Sequence, residues 1–266
     1  MSPDRRGRQP QPERGAGWVW YNCGMHWIFL SPHLDDAPLS CGGLIWQLVK
    51  RGDQVENWTL FAGDPPPNPP TSPLFIEYHT RWGIGFNPLE QRRAEDVCAN
   101  RCLGARERHF SLQDAIYRTH PQTGGARVPD EAELFGGDPL VETELMQDIR
   151  ALLAAEIPPG VRVVCPMTIG GHIDHRLTRL AAEGLGLRLW YYADFPYAAM
   201  ERTQGQTWRN PAWKPYHRRP TRSSLPAWGD AIACYASQIT SFWRDEADMR
   251  ASLEAFWRSG GGLIWR

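Results

Sequence analysis

The sequence predicts an α/β fold: a Rossmann-like, mostly parallel sheet with helices on both faces and long active-site loops. Three observations carry that prediction. Short runs rich in β-forming residues alternate with longer amphipathic ones, the pattern of a parallel sheet covered on both sides. Two strand-to-helix turns hold His and Asp beside glycines. Two Pro-rich or aromatic stretches that follow strands are too long for ordinary connections.

Residues 1–17, "MSPDRRGRQPQPERGAG", have the composition of a disordered tail, which leaves one α/β domain over residues 18–266. Met25 stands directly before the first strand, so what precedes it is a candidate upstream extension. That strand covers 26–30 and ends near Ser31. Pro38 suits the first turn of the next helix, where its missing N–H costs nothing, and Leu39, Leu44, Ile45 and Leu48 form an apolar face. Further strands are expected at 54–61, 108–112, 161–166 and 187–192, and helices at 89–103, 140–155 and 175–185. The irregular stretches are 64–88, with Tyr78, Trp82 and Phe86, and 195–225, with Arg202, Trp208, Trp213, Tyr216 and His217. They are placed to wall a site. Residues 228–257 read as two helices, with "CYASQ" (234–238) inside the first.

A chain of 266 residues, 42% hydrophobic, builds one substantial core. Twenty-nine basic against thirty acidic residues give a formal charge of −1, so no global field points to nucleic acid or an acidic membrane. A small-molecule substrate fits better. Six scattered cysteines with no C-x-x-C pair argue against a disulfide framework or a structural zinc knuckle. Cys98 and Cys102 share a helix face and are expected as buried small apolar residues. Nothing reads as a signal peptide or a membrane span, and a cytoplasmic, reducing location is expected. Oligomeric state is not written in the sequence.

The first turn, "SPHLDDAPLSCGG" (31–43), sets His33, Asp35 and Asp36 between strand and helix. An Asp before a helix is commonly an N-cap, so this turn alone has a structural explanation. The second, "IGGHIDHRLT" (169–178), follows the fourth expected strand, opens a helix and holds His172, Asp174 and His175. Two such turns at equivalent strand ends converge on one crevice beyond the carboxyl edge of the sheet. Catalytic zinc takes three protein ligands and keeps a fourth position open to water. Two His and one Asp from this set would serve, leaving the others for proton transfer. Composition leaves open which ones. Among the 13 Trp, Trp82 and Trp208 are the candidates to stack on a sugar face, while Asp114 and Tyr117 either cap a loop or line the pocket.

"PHLDDAPLSCGG" and "GGHIDHRLT" together resemble the PIG-L or LmbE-like zinc-dependent N-acetyl sugar deacetylases, whose motifs are P/A-H-x-D-D-x before a Gly-Gly helix start, then H-x-D-H. Weaker family-like features are "RRAEDVCANRCLG" (92–104), "LQDAIYR" (112–118), "YYADFPYA" (191–198) and "YASQ" (235–238), so the likeness spans roughly residues 27–238. The resemblance implies a hydrolase that removes an N-acetyl or other N-acyl group from an amino sugar or glycoconjugate. It implies Zn²⁺, or another divalent metal, on His33, Asp36 and His175. It further implies Asp35 as general base, His172 as the group stabilising the oxyanion if it is cationic, and Asp174 tuning or orienting that His. Arg92, at an R-x-x-E position with Glu95, would contact a substrate hydroxyl. Leu34 and Ala37 stand where many members carry Pro and Glu, which suggests a subgroup.

The same machinery suits a zinc-dependent amidase acting on a thiol-sugar conjugate. A reading of another class is a metal-stabilised carbohydrate-binding or nucleotide-binding module without turnover. Asp35, not needed as a ligand, speaks against it, and "SCGG" is too short for the dinucleotide signature. Zinc-dependent release of acetate separates the readings.

Overall fold

The structure is a computed structural model that describes residues 24–82, 88–200 and 210–266. The expected tail, 1–17, lies outside the described residues.

Strand β1 (His26–Ser31) is buried from Trp27 onward. Trp27 and Phe29 enter one hydrophobic layer, Ile28 and Leu30 the other. A strand covered on both faces needs a continuous apolar run, and "WIFL" supplies it. Beside it lie β2 (Gln54–Thr59), β3 (Arg106–His109), β4 (Arg162–Pro166), β5 (Trp190–Tyr192) and β6 (Ile264–Trp265), in the order β3-β2-β1-β4-β5-β6. All neighbours are parallel except β5 and β6. Helices α1 (Asp36–Lys50), α3 (Pro88–Leu103), α7 (Leu225–Ala233) and α9 (Glu246–Arg258) pack on one face. Helices α5 (Thr143–Glu156) and α6 (Ile173–Glu183) cover the other.

The strand order reverses between β1 and β4, whose register runs from Trp27↔Arg162 to Phe29↔Val164. Connections leave these neighbouring carboxyl ends in opposite directions and open a crevice. Both His/Asp turns lie at that point. Close packing holds the first one in place: a Cβ on Gly42 would sit 2.4 Å from the Trp228 ring. Without it, Trp228 reaches across and donates its indole N–H to the Pro38 carbonyl at 2.9 Å, pinning the first turn of α1.

Several expectations are corrected. The stretch 64–88 contains α2 (Pro73–Trp82), introduced by Ser72, whose Oγ accepts the Phe75 N–H at 3.1 Å. A Ser-Pro pair ahead of an apolar run is a helix start that aromatic and proline content had obscured. A short α4 (Glu131–Gly136) was also not expected. The C-terminal part forms three helices, because α8 (Ala236–Phe242) is separated from α7 at Cys234 and Tyr235. "CYASQ" therefore straddles a break. β3 begins two residues earlier than expected and ends at His109. The cysteine reading also changes: Cys98 and Cys234 are bonded across 136 residues, and Cys98 and Cys102 lie at the surface. Sequence spacing carries no information about a pairing made by tertiary packing. Among the described residues no helix is long and apolar enough to cross a membrane.

Candidate active site

Asp35 occupies the N-cap position of α1 and makes no capping hydrogen bond with its side chain. The Ala37 N–H is taken instead by Ser31 Oγ at 3.0 Å, and Asp36 Oδ2 accepts the His33 N–H at 2.7 Å. Because Ser31 does the capping, Asp35 is left for the cleft. Its partner there is Arg92 on α3, 3.6 Å away. Burial and the adjacent Asp36 raise the Asp35 pKa to about 6, against the opposing pull of Arg92 and His33. Burial acts on Asp36 in the same sense, but the His175 and His33 rings outweigh it and hold that carboxyl well below its ordinary range. Two adjacent acids thus have opposite proton affinities.

The second turn requires glycine, since Gly171 has φ 82° and a Cβ there would meet the Phe135 carbonyl at 2.4 Å. This lets α6 begin against α4, with His172 at its N-cap and His175 one turn inside. His33 Nδ1 and His175 Nε2 each lie 3.3 Å from Asp36 Oδ2. Their remote nitrogens are held by carboxylates: His33 Nε2 by Asp174 at 3.1 Å, His175 Nδ1 by Asp194 at 2.7 Å. Carboxylate-braced imidazoles are the usual outer support of metal ligands. His175 Nε2 is buried without a hydrogen-bond partner, so the inward face of this trio has a donor to offer a cation. The pKa directions agree. Burial alone would lower both imidazoles, yet the surrounding carboxylates raise His33 and bring His175 to about 9. A nest that holds extra protons on two histidines favours positive charge, which a divalent ion can supply in their place. His33, His172 and His175 also bring one nitrogen each within 4.8 Å of one another, and His33, Asp114 and Asp174 form a similar trio. His33 is common to both of these trios.

His172 differs from the other two. Its Nδ1 accepts the Asp174 backbone N–H at 3.2 Å, which leaves Nε2 to carry the proton. Burial, with His33 close by, holds its pKa well below the ordinary value. Burial thus disfavours the cationic form that the oxyanion role was conditioned on, and favours a neutral ring that donates one N–H. Asp174 touches His172 through its main chain. Its carboxylate turns to His33 Nε2, to the Ala115 N–H at 3.0 Å and to Arg118 at 2.7 Å. It acts on His172 through its backbone and its charge, not through a side-chain hydrogen bond.

Of the residues singled out in the sequence, His33, Asp35, Asp36, Arg92, Asp114 and His172 line one cleft of about 340 Å³. His175 and Asp174 are buried behind them. Asp114 performs both roles considered for it: Oδ1 caps the turn at Ala115–Tyr117, while Oδ2 stands 3.6 Å from His33 Nε2. Tyr117 is packed in an apolar cluster with its hydroxyl 3.1 Å from His79 Nε2, away from the cleft lining. Trp208 and the side chain of Trp82 lie outside the described residues. The sequence reading missed Asp194, although it falls two residues beyond β5 and the strand-end rule that found the other acids applies to it. Phe195 and Tyr197, at the start of the stretch expected to wall a site, do line the cleft, whereas Phe135, Phe242 and the cleft position of Gln238 were missed.

The family described as "PIG-L: GlcNAc-PI de-N-acetylase" matches residues 28–185. A 2'-N-acetylparomamine deacetylase of Niallia circulans is 27% identical over 253 residues, covering 86% of this chain and 89% of its own. A teicoplanin deacetylase, Orf2, solved in a zinc-inhibited form, is 26% identical with a TM-score of 0.71, over 91% of this chain and 97% of that one. Dbv21, a deacetylase of the A40926 pseudoaglycone, is 28% identical with a TM-score of 0.67, over 91% and 96%.

Proposed function

This chain belongs to the PIG-L family of GlcNAc-PI de-N-acetylases, and on that premise we propose that it hydrolyses the N-acetyl group of an amino sugar or glycoconjugate at the crevice between β1 and β4. The carrying observation is the division between Asp35 and Asp36. Asp36 is engaged by two imidazoles, while Asp35 is relieved of its capping task and faces the cleft with a raised pKa.

His33, Asp36 and His175 would hold a divalent metal, zinc in our reading, because two braced imidazoles and one carboxylate are the donor types of a catalytic zinc site. Such an ion supplies Lewis acidity toward the amide carbonyl and lowers the pKa of water. Asp35 then takes the proton of the attacking water and returns one to the departing amine, a task suited to a carboxyl whose pKa approaches the working pH. His172 donates its Nε2–H to the oxygen on which negative charge develops. A neutral donor performs this task without adding a second buried cation beside the metal. Arg92 restrains Asp35 and borders the same cleft, where it can meet a sugar hydroxyl. Phe135, Tyr197 and Phe242 offer the apolar faces on which a sugar ring or its aglycone can rest.

The test is free-amine and acetate formation from a panel of N-acetylated amino sugars and glycoconjugates, with and without a chelator. Zinc-restored acetate release is the expected result. Binding without release would leave a carbohydrate-binding module, and selective cleavage of a thiol-sugar amide would redirect the substrate assignment.

A further inference from the structure

Outside the cleft, Cys98, Cys102 and Cys234 place three sulfurs within 4.8 Å of one another at the protein surface. Cys98 and Cys102 are four residues apart on α3 and therefore share one face of it. Cys234 follows α7 directly. Its sulfur is bonded to Cys98, while Cys102 Sγ, a free thiol, stands 3.8 Å away. Deacetylation uses none of the three.

We propose that these residues form a thiol–disulfide exchange site in which Cys234 bridges alternately to Cys98 and Cys102. The Cys102 thiolate attacks Cys234 Sγ, the Cys102–Cys234 bond forms, and the Cys98–Cys234 bond breaks. The electron pair leaves on Cys98 Sγ, which takes a proton from water. One disulfide and one thiol exist before and after, so no oxidant or reductant is consumed. The nucleophile is exposed, as exchange requires. The same sulfurs are open to small thiols and disulfides of the glutathione class.

The location gives the exchange a consequence. Cys234 is two residues ahead of α8, which contributes Gln238, Ser241 and Phe242 to the cleft wall, while α3 contributes Arg92. Two polar links already tie these helices: the Tyr235 hydroxyl donates to Asp96 at 2.6 Å, and the Ser237 hydroxyl and N–H donate to Glu95 at 2.6 and 2.9 Å. The disulfide is a third link in the same row. Moving it from Cys98 to Cys102 shifts the backbone attachment by about one turn, roughly 6 Å of helix rise, while the sulfurs exchanged lie within 4.8 Å of each other. The bridge therefore sets how the α8 wall meets the substrate. This part rests on the deacetylase reading; the sulfur chemistry does not.

The experiment maps disulfide-linked peptides by mass spectrometry after alkylation of the full chain. Wild-type protein should yield both the 98–234 and the 102–234 pairs. Cys98→Ser, oxidised with glutathione disulfide, should yield only 102–234 and lose two alkylation sites. Cys102→Ser should yield only 98–234. If Cys102 and Cys234 stay alkylatable in Cys98→Ser, or wild-type protein contains the 98–234 pair alone, the exchange is refuted without reference to any substrate. Reduced and oxidised Cys98→Ser should then differ in KM at equal metal content. An unchanged KM refutes the coupling to the cleft.

Discussion

His175 is held at Nδ1 by Asp194 across 2.7 Å, and this contact turns its Nε2 toward Asp36. The Ile169 N–H fixes the other oxygen of Asp194 at 2.9 Å, so the acid is anchored before it orients the ring. Replacing Asp194 with Asn removes the negative charge behind the imidazole. Metal affinity should fall by about 10- to 100-fold, the usual effect of losing such support. Competition against a chromogenic chelator measures it, and activity should return at high zinc. An affinity equal to that of wild type would mean the contact only packs the ring.

Asp35 and Asp36 should respond differently to substitution. Asp36→Ala removes a metal donor, so bound metal and turnover are lost together. Asp35→Asn leaves the donors intact and removes the proton acceptor. Turnover should drop by about 10² to 10⁴-fold with metal still bound, and KM should move much less. A metal-loaded Asp35→Asn protein with near-native kcat removes Asp35 from the mechanism.

The lowered proton affinity of His172 gives a second separation. His172→Ala should retain metal and lose about 10² to 10³-fold in kcat, the typical cost of one oxyanion donor. His172→Gln keeps an N–H donor and should recover part of that loss. Were the Gln variant no better than Ala, charge or proton delivery would be the property that matters.

Adding zinc to metal-free protein should raise thermal stability as well as activity, because the ion replaces protons among clustered carboxylates and binds only the folded site. At a free concentration one hundred times Kd the gain is about 2.7 kcal/mol. Thermal melts across a zinc titration measure it. Asp36→Ala should abolish most of the gain.

Behind His33, Arg118 bridges Asp174 at 2.7 Å and Glu142 at 2.6 Å, all three buried. Arg118→Met removes one cation from each carboxylate, leaving Asp174 with His33 and the Ala115 N–H and Glu142 with Arg127. It should destabilise the fold by about 3 kcal/mol, the lower end for a broken buried pair. Urea denaturation of metal-free protein reads this directly. A midpoint equal to that of wild type would show that the network is relieved by water.

Much of this architecture was legible along the chain. The buried run "WIFL", the helix after Pro38, and the His and Asp residues in the two turns are local signals, and β1, α1, β4 and α6 follow them closely. Other elements escaped because their cues were ambiguous locally. α2 hid in a Pro-rich stretch, and β6 is a two-residue strand that exists only through its pairing with β5.

The sequence by itself determined which side chains could do chemistry and that they would gather at the carboxyl edge of a parallel sheet. Periodicity and strand-end position are properties of neighbouring residues. Partnership is not. Only the folded chain decided that Ser31 relieves Asp35 of capping, that Asp174 braces His33, that Asp194 supports His175, and that Tyr117 lies away from the cleft. Each outcome depends on contacts of a few ångströms, some of them between residues far apart in sequence. Hydrogen bonds and ionic pairings are decided by those distances, which packing of the sheet and its helices fixes.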